Sequence, residues 1–182
     1  AAIESRDEYA EIGRALDRAA LALNRQLALQ RILARLDRAI IHADALDSTV
    51  ADLLPQIDEL LDGLATIAIL VQPDGRSARV FLSSSNAMAL ERAVIADAIE
   101  PLTRAVGKGM VEIDSDRDSP MLQLAWHAGH SRIQLWPIRS EHGLVGALGV
   151  ACDGAGRTAE ASEEVGRRIA EHMAVAVSDM SK

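Results

Sequence analysis

The chain predicts an α+β domain, an antiparallel sheet flanked by helices, carried on a long N-terminal helix. Three observations point there. Residues 5–45 contain no proline and a single glycine, Gly13, in a run of Ala, Leu, Arg, Gln, Glu and Asp, mostly strong helix formers or charged surface residues. Two pairs of apolar runs, 66–71 with 77–83 and 132–139 with 144–152, are each joined by a short turn-rich segment, the pattern of β-hairpins. Amphipathic stretches at helical spacing lie before, between and after them.

Composition bounds the rest. The 182 residues suit one domain plus an appendage, and an apolar fraction of 49% is ample for a core. Tyr9, Phe81, Trp126 and Trp136 are the aromatic residues, so the core is predicted to be aliphatic. A net charge of −8 argues against nucleic acid as a partner, because phosphate binding relies on clustered Lys and Arg. One cysteine, Cys152, excludes an internal disulfide framework and fits a reducing compartment. No run of 18 apolar residues exists, so the sequence predicts no direct membrane insertion. Each end lies in or beside a helical pattern, which suggests a piece of something longer.

The elements follow in order. Over residues 1–45 a helix of roughly 60 Å is expected at 1.5 Å per residue, too long to be covered by its own domain. Ile12, Leu16, Ala19 and Leu23 step 4-3-4, a coiled-coil seam, and Leu29, Leu33, Leu36 and Ile40 repeat it after a six-residue break. In-phase Gln26 and Gln30 soften the middle. Association with a second copy is therefore expected. Asp47 and Ser48 are cap types before the stripe Val50, Leu53, Leu54, Ile57, Leu60 and Leu61. Pro55 should kink that helix or delay its start.

Residues 66–71 read as a buried strand, Pro73-Asp74-Gly75 as its turn, and 77–83 as its partner, with Ala78, Val80 and Leu82 alternating against Arg79, Phe81 and Ser83. Asn86 would cap a helix through Met88, Leu90, Val94, Ile95 and Ile99, broken at Pro101, with 102–106 extending it. Residues 110–113 suit a short strand, and 121–131 one or two helical turns. The 132–139 and 144–152 strands turn at Glu141-His142-Gly143. Thr158 would cap a last helix with the stripe Val165, Ile169, Met173, Ala176, Val177 and Met180.

That order resembles a GAF domain over about residues 46–181. Three stretches carry the likeness: 46–57 as the first helix, Ser131-Arg132-Ile133-Gln134-Leu135-Trp136-Pro137-Ile138 with Gly143-Leu144-Val145-Gly146-Ala147-Leu148-Gly149-Val150 as the final hairpin, and 163–177 as the closing helix. Gly146 and Gly149 would permit close packing of a helix on the sheet. Upstream, Glu11-Ile12-Gly13 followed by a helical stretch is similar to the end of a HAMP module, with Ala10 and Ala19-Ala20 departing from that pattern.

Two units are thus expected, a connector and dimerisation helix over 1–45 and a GAF-like sensory domain over 46–182. The resemblance implies a parallel dimer of signalling helices on the cytoplasmic side of a bacterial inner-membrane receptor. It also implies an output domain further on, for cyclic-di-GMP turnover or a histidine kinase. The expected homodimer contacts are Ile12, Leu16, Ala19, Leu23, Leu33, Leu36, Ile40, Ile169, Met173 and Met180.

Catalysis is not expected. Gly-Gly-Asp/Glu-Glu-Phe, Glu-Ala/Val-Leu and P-loop signatures are all missing. His172 lacks the following acid and proline of a phospho-accepting histidine and reads as an interface or surface residue. His127 and His130, three apart, need further ligands to hold a metal, and Asp114, Asp116 and Asp118 read as a solvated loop. One cysteine cannot both attack and resolve, which disfavours a redox enzyme on this fold. No cofactor is required by the sequence. Any small-molecule ligand would sit, by the resemblance, between the sheet and residues 86–130. Phe81, Trp126, His127, His130, Arg132 and Gln134 are the candidate lining. The alternative is a filled pocket and a purely structural dimerisation module.

Overall fold

The structure is a computed structural model that describes residues 2–41, 46–61, 65–84, 87–95, 97, 99–108, 110–112, 132–151 and 160–179. Its elements are α1 (Ala2–Ile41), α2 (Leu46–Leu61), β1 (Ala65–Val71), β2 (Ala78–Ser84), β3 (Ala87–Ile95), α3 (Ile99–Lys108), β4 (Met110–Glu112), β5 (Arg132–Ser140), β6 (Gly143–Ala151) and α4 (Glu160–Asp179). The strands form one sheet in the order β3-β2-β1-β6-β5-β4, antiparallel at every pairing. The α+β class expected from the sequence is the observed one.

Strand alternation splits the core in two. Ala68, Leu70, Phe81, Trp136, Leu148 and Val150 face a layer of three helices, α1, α2 and α4. Ile67, Ile69, Val80, Leu82, Ile133 and Leu135 face the other way, against Leu102, Ala105 and Val106 of α3. Both hairpins fall where alternation and turn chemistry placed them. Gly75, with φ +65°, completes the first turn, and Asp74 locks it by accepting from the backbone N–H groups of Arg76 and Ser77, each at 2.9 Å. Gly143, with φ +128°, ends the second, a region closed to residues with a Cβ.

Residues 87–95 form a strand, not the helix that their spacing suggests. β2 is paired to β1 on one side, so its other edge carries a row of backbone donors and acceptors that must be met. β3 meets them from Ala78↔Ile95 through Leu82↔Glu91, then shifts register before Ser84↔Ala87. Helical spacing in one segment carries no trace of a neighbour's open edge. The helix begins only at Ile99, and Pro101 sits in its first turn, where its missing N–H costs no intrahelical bond.

Pro55 does not break α2, which runs continuously from Leu46 to Leu61. The proline lies on the exposed face, while Val50, Leu53 and Leu54 before it and Ile57, Leu60 and Leu61 after it are all buried. Packing on both sides holds the helix through the lost hydrogen bond.

The glycines also work differently from expectation. A Cβ on Gly149 would meet Ile67 and Leu135 side chains at 2.7 Å, and one on Gly146 would meet the Ile69 carbonyl oxygen. These glycines let neighbouring strands and their side chains close up. The helix-on-sheet approach belongs to Gly166 of α4, where a Cβ would stand 2.6 Å from Cε2 and Cζ2 of Trp136.

Contacts fix the direction of each helix in the layer. α2 starts with Asp47 paired to Arg79 of β2 and ends with Asp58 beside Thr66 of β1, so it descends the sheet. α1 packs on α2 and precedes it by a four-residue link, so it ascends. α4 crosses Trp136 at Gly166 and reaches Asp37 of α1 at His172, ascending too. α1 and α4 therefore run parallel.

Candidate functional site

The feature that the fold presents most openly is α1 itself. Leu29, Ile32, Leu33 and Leu36 are buried in the shared core with Ile169, Met173 and Ala176 of α4. From Tyr9 to Leu27 the picture reverses: every residue is exposed except Gly13, which is partly so. Tyr9 is 74% exposed and Leu16 64%, with Ile12, Leu21, Leu23 and Leu27 also open. The helix is thus a docked segment followed, toward its N-terminus, by an exposed rod of roughly 28 Å.

This divides the expected dimer contacts. Ile12, Leu16, Ala19 and Leu23 are exposed and available. Leu33, Leu36, Ile169 and Met173 are not, because their own chain covers them. The six-residue break between Leu23 and Leu29 is the cause. At about 100° per residue, the rod stripe and the docked stripe lie about 120° apart around the helix. What reads as an interrupted seam is two faces with different partners. The Ile40 and Met180 side chains lie outside the described residues.

The expected ligand lining is also divided. Phe81 is fully buried in the helix-side core, a packing residue and not a pocket wall. Alternation along β5 puts Arg132 and Gln134 on the face of Trp136 and Ile138, opposite the α3 side. The α3-facing layer among the described residues is aliphatic. Trp126, His127, His130 and Cys152 lie outside the described residues. Among the described residues no group of three His, Cys, Asp or Glu side chains gathers to hold a metal, and no helix is long and apolar enough to cross a membrane.

Polar contacts tie the helix layer together. Asp58 is 6% exposed and accepts from Thr66 Oγ1 at 3.1 Å. Burial pushes its carboxyl above the usual range, opposed in part by the Thr66 hydrogen bond. Arg79 and Asp47 form a partly buried pair between β2 and the start of α2. His172 Nδ1 stands 3.2 Å from Asp37 Oδ1, a surface histidine joining α4 to α1. In the sequence, Asp58 shows only as an acid inside an apolar stripe, and Gly166 only as a glycine inside a helix.

No protein-family model matches the sequence, and no curated protein matches it. Solved structures do. The phycoerythrobilin-bound GAF domain of a cyanobacterial phytochrome superposes with a TM-score of 0.59 at 20% identity, covering 86% of this chain and 95% of that one. Residues 122 to 287 of a methyl-accepting chemotaxis protein give 0.59 at 12% identity, covering 82% and 96%. Free methionine-R-sulfoxide reductase from Neisseria meningitidis gives 0.55 at 15% identity, covering 86% and 89%. The fold is therefore GAF-like, shared by proteins with different activities, and function must be argued from this chain's own geometry.

Proposed function

We propose that this GAF-fold chain is a non-catalytic signal relay. It couples an upstream membrane module or a small-molecule ligand to an output domain, for cyclic-di-GMP turnover or a histidine kinase, and acts as a homodimer in a bacterial receptor. The observation that carries the reading is the parallel course of α1 and α4. α1 reaches the core from beyond the Thr66 end of the sheet, and α4 ends near the Leu70 end, with the two packed on one core between. A turn or tilt of the rod bears on Leu29, Ile32, Leu33 and Leu36, and through them on Ile169 and Met173 of α4. Relay requires two arrangements of that packing whose balance an input shifts. The GAF domain of a cyanobacterial phytochrome and a segment of a methyl-accepting chemotaxis protein have the same fold, which supports the reading by analogy.

Inserting one to seven alanines after Leu27 in the full natural protein tests it. Output should vary with insertion length at a period of about 3.6 residues. Output indifferent to helical phase would overturn the relay. A purely structural module is the second reading, favoured by the aliphatic α3-facing layer and by Phe81 being core. A thermal-shift series against cyclic nucleotides, haem, bilins and metals separates the two, because a ligand selective for the folded state raises its melting temperature.

A further inference from the structure

We infer that the docked part of α1 and α4 move as one unit, which rocks on the contact between Gly166 and Trp136, while α2 stays fixed to the sheet. This rests on the relay reading and names its moving part and its fulcrum.

The three helices of the layer are not held alike. α2 is stapled to the sheet at both ends, by Asp47 with Arg79 of β2 and by Asp58 with Thr66 of β1. The cross-element contact of His172 on α4 goes to another helix instead, with Nδ1 standing 3.2 Å from Oδ1 of Asp37 on α1. The buried faces differ in the same sense. α2 presents Val50, Leu53, Leu54, Ile57, Leu60 and Leu61, branched side chains whose ridges interlock with what they pack on. α4 presents Gly166, Ala170, Ala174 and Ala176, with Ile169 and Met173 as its large buried side chains. Small residues make shallow ridges, and methionine refits an altered neighbour more readily than a branched side chain. A helix with that face shifts over the sheet at lower cost than α2.

α1 packs on both of these neighbours, through Leu29, Ile32, Leu33 and Leu36. When the rod leans, α1 presses on one helix that is stapled and one that is not. α4 is the neighbour that yields.

Gly166 fixes the point about which it turns. The helix backbone there rests on the indole of Trp136, so close that a Cβ would stand 2.6 Å from Cε2 and Cζ2. A flat ring beneath a residue with no side chain acts as a bearing, because nothing projects from the helix to key it in place. His172 lies about 9 Å along α4 from Gly166 and Asp179 about 20 Å. A push of about 1–2 Å at His172 therefore swings the end of α4 by about 2–4 Å.

Two measurements on the chain test the division. The first uses spin-label distances in a Cys152→Ser background, diluted in unlabelled chain, between exposed positions of α1, α2 and β5. Gly166→Ala lifts α4, so the distance from Arg38→Cys to Arg139→Cys should change by about 1–2 Å. The distance from Glu59→Cys to Arg139→Cys should not change. The second is native-state hydrogen exchange in low urea, which needs no destabilised variant. Amides of 29–37 and 166–176 should share one urea dependence and open at least tenfold more often than those of 50–61 and 66–71. Thr66→Val, which removes the donor to Asp58 in the fixed half, should speed exchange in α2 and β1 by about tenfold and leave docked α1 and α4 unchanged.

Docked α1 opening together with α2 and not with α4 would overturn the inference. So would one shared opening for all three helices, or an Arg38 position that ignores the Gly166 substitution. Output indifferent to the alanine insertions, with these results as expected, would remove the relay and leave the mechanical division standing.

Discussion

Replacing Gly166 by alanine tests how α4 is seated. The added Cβ would stand 2.6 Å from Cε2 and Cζ2 and 2.7 Å from Cη2 of Trp136, whereas carbon atoms pack best at about 3.5–4.0 Å. The indole is buried on β5 and cannot turn away, so the helix must lift by about 1 Å. Overpacking of this kind costs about 1–3 kcal/mol. Against it stands the helix preference of alanine over glycine, about 1 kcal/mol. The net loss should be about 0–2 kcal/mol, and each lost kcal/mol should lower Tm by about 2–4 °C in a chain of this size.

Urea unfolding followed by tryptophan fluorescence measures the loss directly. Trp136→Phe in the Gly166→Ala background removes most of the clash, so a double-mutant cycle should show coupling of at least about 0.5 kcal/mol. Gly13→Ala is the control, because nothing lies within 4 Å of a Cβ there; it should raise helix content and cost no stability. If the double-mutant cycle shows no coupling between Gly166→Ala and Trp136→Phe, α4 is not seated on the Trp136 ring as described.

Three further outcomes follow from the same contacts. Asp58→Asn should leave stability at pH 7 unchanged or raised. Burial lifts the folded-state pKa of Asp58 above its unfolded value, so the ionised form weakens the fold at neutral pH and the penalty fades as pH falls toward the ordinary carboxylate range; urea midpoints at pH 7 and pH 4.5 should therefore converge between parent and variant. Asp74→Ala should speed amide exchange across the Gln72–Ser77 turn. Hydrogen bonds from Ser77 and Arg76 hold the Asp74 pKa down, so its contribution is present above the unfolded value and disappears as pH drops through the folded one; parent and variant should exchange alike in acid. Gln26→Leu with Gln30→Leu should lengthen the apolar stripe and tighten self-association by sedimentation about tenfold, locking output in the full protein, and unchanged association would refute the role given to these amides.

Both hairpins were legible because alternation, turn residues and strand lengths all agree, from Ala78, Val80 and Leu82 on one face to Gly143 at the second turn. Residues 87–95 were not, because the reason for that strand lies in the unpaired edge of β2 and not in its own spacing. Pro55 misled in the same way: local propensity argued for a break, and burial on both sides of it won. The six-residue step in α1 was visible, yet only the packing of Leu29 and Leu36 reveals it as a change of face. Phe81, Arg132 and Gln134 looked like pocket residues by type, but face assignment needs the register of the sheet. Of the expected lining, Trp126, His127 and His130 fall outside the described residues.

The four leucine and isoleucine side chains that seat α1 also limit how it can travel. Turning the helix by one residue about its axis would swing Leu29, Ile32, Leu33 and Leu36 about 100° out of their sockets and bring polar neighbours in. Packed helices shift by about 1–2 Å without leaving their sockets, and a larger move must ratchet by about one turn, 5.4 Å, to set an equivalent row in the same place. What passes along this segment is therefore a short stroke or lean of the whole shaft, or a discrete jump.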